Sequence, residues 1–312
     1  VTSPGEEQQV SSGFVRSYVI TGGRGLPEAD ELTLVTLVTI APDREPYRNP
    51  SPEIQAIWDL CSGGYLSVAE VAGRLELPVG VVRLLLKDLT DQGHLLRRKV
   101  PPPLSSLTRR SSRRCCMDSR PASAENIYVS DAVQRAVKIL VIGHFAVGKT
   151  TIIGTLSEIK PLRTEERMTQ AAADIDDLRG APGKETTTVA LDFGRLTLSD
   201  ELVLYLFGTP GQQRFVELWE DMARGSLGAL LLVDPARLAD TFPVIDLVEK
   251  YGLEYAVAVN SFDPHTRHEE EELREALDLL PDTPVVYCDA RDRDSSARTL
   301  ITLVRHLLAR AA

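Results

Sequence analysis

Gly143-His144-Phe145-Ala146-Val147-Gly148-Lys149-Thr150-Thr151 follows directly on the apolar run Val137 to Ile142. The spacing is a complete GxxxxGK[ST] pattern, placed where a strand ends and a helix begins. Gly143 and Gly148 let the backbone curl so that successive N–H groups, those of His144, Phe145, Ala146 and Val147 among them, converge on one anion. The helix opening at Lys149 adds the positive end of its dipole. Lys149 would reach the β- and γ-phosphates, the Thr150 hydroxyl would ligate Mg²⁺, and Thr151 would complete the first turn. A chance glycine turn would not satisfy every position of the pattern in this context. The stretch predicts a loop that binds a nucleoside triphosphate.

Downstream, apolar runs alternate with helical stretches. Strands are expected over Val137 to Ile142, Val189 to Phe193, Leu202 to Phe207, Ala229 to Val233, Tyr255 to Val259 and Val285 to Tyr287. Helices are expected after the phosphate loop and over Val216 to Arg224, Pro243 to Tyr251, Glu269 to Leu279 and Ala297 to Ala309. Such alternation predicts an α/β fold whose mostly parallel sheet is covered on both faces. Ligands are then expected at the carboxyl ends of the strands. The long polar stretch Glu158 to Lys184 reads as a mobile switch.

Three later stretches resemble the motifs of small GTPases. Leu206-Phe207-Gly208-Thr209-Pro210-Gly211-Gln212 is similar to their second switch, usually Asp-x-x-Gly-Gln. The resemblance implies that Gly211 senses the γ-phosphate and that Gln212 orients the attacking water. Gly208 stands where the usual Asp would be, which implies weaker magnesium binding. Asn260-Ser261-Phe262-Asp263 resembles the guanine-reading Asn-Lys-x-Asp. Asp263 would accept two hydrogen bonds from guanine and reject adenine, while Asn260 would tie its loop to the phosphate loop. Ala290, in Asp289-Ala290-Arg291, would offer its backbone N–H to the guanine oxygen. Glu185-Thr186-Thr187-Thr188 should hold the first-switch threonine over Mg²⁺, and spacing to Gly211 favours Thr186, with Thr187 next. The order of motifs implies a Ras-like G domain, a P-loop NTPase using GTP/GDP and Mg²⁺, with Lys149, Thr186 and Gln212 as its catalytic set. The Thr-Pro-Gly-Gln variant resembles the gliding-motility GTPases of bacteria. The wider sequence resembles the small GTPase of the actinobacterial gene clusters called conservons.

Upstream, the pattern changes. Ser51 to Cys61 carries apolar residues at helical spacing, and Ser67-Val68-Ala69-Glu70 is a capping box opening a second helix. A third helix starts after Pro78 and stops at Gly93, and Leu95 to Val100 reads as a strand. Three helices and a strand predict a small winged helix-turn-helix-like α+β domain. Its third helix is expected to expose Arg83 and Lys87, with Asp88 and Asp91 beside them. Acidic residues outnumber basic ones over residues 1–100, which favours protein docking over DNA binding. The stretch from Gly13 to Arg24, with these helices, resembles the winged-helix conservon family. That resemblance implies partners of the roadblock and sensor-kinase-like types, and membrane recruitment only through them.

Residues 101–130 open with Pro101-Pro102-Pro103 and continue through serines and arginines with little apolar content. They read as a disordered linker between a 1–100 domain and a 131–312 GTPase domain, leaving the two free to move independently. Met117-Asp118-Ser119 resembles a natural start, as though two polypeptides had been joined.

Composition agrees with this division. The chain has 312 residues, 43% of them hydrophobic, enough for two cores. A net charge of −10 argues against broad binding to nucleic acid or anionic lipid. The four cysteines form no CxxC pair, so neither a zinc site nor a disulfide framework is expected. With a polar N-terminus and no apolar run near the ~18 residues of a membrane span, a cytoplasmic protein is expected.

Overall fold

The computed structural model describes residues 32–42, 44, 49–98, 127–167, 188–209, 219, 222–260 and 268–310. Its larger part is a seven-stranded sheet built around β4 (Arg135–Ile142), the strand that leads into the phosphate loop. The other strands are β5 (Leu162–Arg167), β6 (Thr188–Ser199), β7 (Leu202–Gly208), β8 (Gly228–Val233), β9 (Tyr255–Asn260) and β10 (Val285–Cys288). They lie in the order β10-β9-β8-β4-β7-β6-β5. From β10 to β7 the pairing is parallel, whereas β6 runs antiparallel to both its neighbours. The expected P-loop α/β architecture is present.

Side chains of β4 alternate between two cores, as the two-residue period of a strand requires. Val137, Ile139 and Val141 join one apolar cluster with Ile152, Leu156, Leu300 and Leu303. Those partners come from α4 (Lys149–Leu156) and α7 (Arg293–Arg310). Ala136, Leu140 and Ile142 face the other way, toward Trp219, Met222, Val244 and Val248. Val244 and Val248 belong to α5 (Phe242–Lys250), while the short α6 (Glu270–Ala276) inserts Leu273 at the same level. Burial on both faces explains the unbroken apolar run in the sequence.

The N-terminal unit holds α1 (Pro52–Cys61), α2 (Val68–Leu75), α3 (Val79–Asp91) and β3 (Leu95–Arg98), close to the expected bounds. Two further strands, β1 (Leu37–Ile40) and β2 (Leu66–Ser67), complete an antiparallel sheet of order β2-β1-β3. The Ser67 capping box is formed in both directions, and Gly93 takes φ 75° where α3 ends. Among the described residues, no helix is long and apolar enough to cross a membrane.

Three expectations are corrected. First, part of the supposed switch stretch is a strand: Leu162–Arg167 pairs along its whole length with β6. Second, residues 127–130 are not linker, since Val129 pairs with Tyr65 and Tyr128 lies against Gly63 and Gly64. Third, the two halves are not independent. Helices α2 and α3 pack on β5, and a single apolar cluster runs from Val71, Val82 and Leu86 to Phe193, Tyr205 and Phe207. Gly73 of α2 comes so near that an added Cβ would lie 2.9 Å from the Leu162 Cβ.

A buried ionic network locks this contact. Arg195, 1% exposed, donates from Nη1 to the Glu70 Oε1 at 2.7 Å and from Nε to the Glu158 Oε1 at 2.9 Å. The second Glu70 oxygen accepts from the Ser67 backbone and hydroxyl and from the Tyr205 hydroxyl, at 2.8 to 2.9 Å. Burial, reinforced by the Glu70 charge, holds the Tyr205 phenol well above its ordinary range, so it stays a neutral donor. Glu70 caps its own helix with Oε2 and grips the other half of the chain with both oxygens.

Candidate nucleotide site

The phosphate loop sits between the end of β4 and the start of α4, at the carboxyl edge of the sheet. Its two glycines are required by space as well as by conformation. At Gly143 (φ 144°) an added Cβ would lie 2.6 Å from the Leu232 carbonyl oxygen. At Gly148 (φ 107°) it would lie 2.7 Å from the Asn260 Nδ2. Any larger residue would push the loop out of shape. Ala146 also takes a positive φ of 65°, completing the curl. Within the loop, Val147 is buried in the core while Phe145 is 70% exposed, so their backbones are what they offer to a ligand. His144 is buried and its Nδ1 donates to the Phe145 carbonyl at 2.7 Å. Thr151 is exposed on the first turn of α4.

Lys149 folds back over the loop and donates to the Gly143 and His144 carbonyls at 2.8 and 2.7 Å. An ammonium has three donors, so one is left for an anion. Burial pushes its pKa down to about 8, and the nearby Asp192 carboxylate only partly offsets this. A half-buried ammonium beside a glycine cradle fits a phosphate group, whose negative charge would raise its pKa again.

The Thr150 hydroxyl donates to the Asp192 Oδ2 at 2.5 Å, and the Arg163 Nε donates to the Asp192 Oδ1 at 3.0 Å. A hydroxyl and a carboxylate at the rim of a phosphate cradle are the hard oxygen donors that Mg²⁺ prefers. Nothing in the sequence assigned Asp192 a role of its own, because it stands inside a β-branched and apolar run that reads as a strand. The signal available was a carboxylate in a strand otherwise buried on that side.

Asn260 closes the site from the far side. Its Nδ2 donates to the Val147 carbonyl at 2.9 Å, and its Oδ1 accepts from the Ala290 N–H at 3.1 Å. The Thr155 hydroxyl of α4 donates to the Ala290 carbonyl at 2.7 Å. The phosphate loop, the end of β9 and the loop of Ala290 are thereby joined through one buried amide. The Ala290 N–H, expected to meet the guanine oxygen, donates to Asn260 in this structure. Thr186, Gly211, Gln212 and Asp263 lie outside the described residues.

Comparison with known proteins agrees with this division of the chain. Residues 141–310 match a family model described as conserved hypothetical ATP binding protein. Residues 9–114 match one described as protein of unknown function (DUF742). An uncharacterized protein of Methanocaldococcus jannaschii is 32% identical over 129 residues, covering 41% of this chain and 71% of that protein. Among solved structures, the FeoB G domain from Methanococcus jannaschii is 14% identical, covering 55% of this chain and 98% of its own, with a TM-score of 0.37. The G domain of the T. maritima FeoB iron transporter is 18% identical, covering 57% and 100%, with a TM-score of 0.35.

Proposed function

The chain belongs to the family of conserved hypothetical ATP binding proteins, and on that premise we propose that it is a guanine-nucleotide switch that hydrolyses GTP slowly. The observation that carries this reading is Asn260, whose one amide grips both the phosphate loop and the loop of Ala290. Asp263 follows it by three residues in the sequence, and we read its carboxylate as the contact to the base. A carboxylate pairs with the N1–H and exocyclic amine of guanine, and adenine has no such donor pair. The family description names ATP; the residues of this base loop favour guanine instead.

Lys149 would lie along the β- and γ-phosphates, and the glycine cradle would wrap them with backbone N–H groups. Thr150 and the first-switch Thr186 would hold Mg²⁺, which when bound neutralises charge on the phosphate oxygens. Gln212 would orient the attacking water, with Gly211 sensing the γ-phosphate. No arginine of the chain is assigned to complete this set, so turnover is slow until a partner contributes.

The N-terminal unit is read as a docking module. Its third helix lies against β5, and Arg83, expected at the surface, is buried. Lys87 sits 3.9 Å from Asp91 on the same helix, so the face offers little free positive charge to a phosphate backbone. Partners of the roadblock and sensor-kinase-like types, and a cytoplasmic setting, complete the proposal. Asp263→Asn tests the base site: it should weaken GDP binding by about tenfold or more and shift preference toward xanthosine nucleotides, read by competition against a fluorescent GDP. Unchanged discrimination would remove Asp263 from the base site.

A further inference from the structure

Resting on the reading that Thr150 holds Mg²⁺, we propose that Asp192 is the carboxylate that positions this cation, in place of the acid that Gly208 lacks. The antiparallel register pairs Phe193 with Phe207, which sets Asp192 across from Gly208. A Cβ built on Gly208 would lie 3.7 Å from the Asp192 Cβ and 3.4 Å from the Asp192 carbonyl oxygen. The two positions therefore feed one small space from adjacent strands. A carboxylate at both would bring like charges together, which costs free energy for either to stay ionised. The chain carries one of them, on β6.

Asp192 already makes the contact the role requires. Its Oδ2 accepts the Thr150 proton, so the lone pairs of the Thr150 oxygen are left for a cation. Its other oxygen is fixed by Arg163, and Gly194 of the same strand face packs on Ser157 and Ile153 beside α4. The carboxylate is thus held on two sides while its strand is seated against the helix that bears Thr150. Asp192 acts through Thr150 and is a positioning residue.

The test uses the full chain and follows release of a fluorescent GDP across a MgCl₂ titration. Asp192→Asn keeps an acceptor for Thr150 but removes the charge. It should raise the MgCl₂ concentration needed for half-maximal slowing of release by about tenfold to a hundredfold. Affinity for GDP in excess EDTA should stay within about threefold, which also establishes that the variant is folded. Adding Gly208→Asp to that variant should bring the midpoint back toward the wild-type value, since Ile153 meets the new side chain only with its terminal methyl. A midpoint within twofold of a magnesium-dependent wild type in Asp192→Asn overturns the role of Asp192 alone. A wild type that releases GDP equally fast with and without MgCl₂ overturns the magnesium reading and this inference together.

Discussion

Strand β6 presents two faces with opposite character. Toward α4 it turns Asp192 and Gly194, and the Asp192 carboxylate is half-open to solvent beside the phosphate loop. Toward the N-terminal unit it turns Phe193 and Arg195, both within 1% of complete burial. One face keeps a charge accessible to a ligand; the other commits a charge wholly to its own chain. The alternation of a strand lets a single segment do both, since neighbouring residues never share an environment.

The difference predicts where substitutions act. On the closed face, Glu70→Ala leaves the Arg195 charge buried without its Glu70 partner, and should lower stability to denaturant by about 3–5 kcal/mol. Removing both charges, as Glu70→Leu with Arg195→Met, should recover most of that loss. If the double variant is no better than the single one, the network is not what ties the halves.

On the open face, Lys149→Ala should weaken triphosphate binding by about a hundredfold or more, about 2.7 kcal/mol. Stability without nucleotide should not fall, because burial holds the ammonium at a cost in the free chain, as its pKa of about 8 shows. Calorimetric titration and thermal melting read the two quantities separately. A large fall in melting temperature would place Lys149 among the structural residues.

A smaller effect follows from the titration of Lys149. In the free chain its pKa lies near 8, so above that pH the amine must take up a proton before it pairs with phosphate. Nucleotide affinity should be flat below pH 8 and fall by up to tenfold per unit above it. Free-chain stability runs the other way, rising from about pH 8 toward 10.5, because there the unfolded chain binds the additional proton. Affinity that is flat from pH 7 to 9.5 would mean that the amine keeps its proton throughout.

Smallest of all is the exposed pair on α3. Lys87→Ala should change stability by less than about 0.5 kcal/mol, since Lys87 is a partly exposed residue whose partner Asp91 is open to solvent. A loss comparable to that of Glu70→Ala would erase the contrast between buried and surface charge.

What the sequence made legible follows the range of the interactions. The phosphate loop, the Ser67–Glu70 capping box and the apolar run of β4 are local patterns, and each stands where expected. Asn260 was readable because its motif specifies a tie to the phosphate loop. Strand β5 was not, because Leu162–Arg167 has neither an apolar run nor an apolar alternation and gains its order from the ladder with β6. The second partner of Glu70 is 125 residues away, beyond the reach of any local pattern. Arg83 was expected at the surface but is buried, on a helix that packs partly on β5 of the other half of the chain. Asp192 was hidden because its partner strand had to be in place before it could face Thr150.

Guanine recognition above the phosphate cradle is the part of the proposed function most open to direct measurement. Calorimetric titration of the nucleotide-free full chain with GTP and with ATP, each with excess MgCl₂, tests it directly. The account predicts that GTP binds at least about a hundredfold more tightly, a difference of about 2.7 kcal/mol. ATP binding as tight as GTP binding would contradict it.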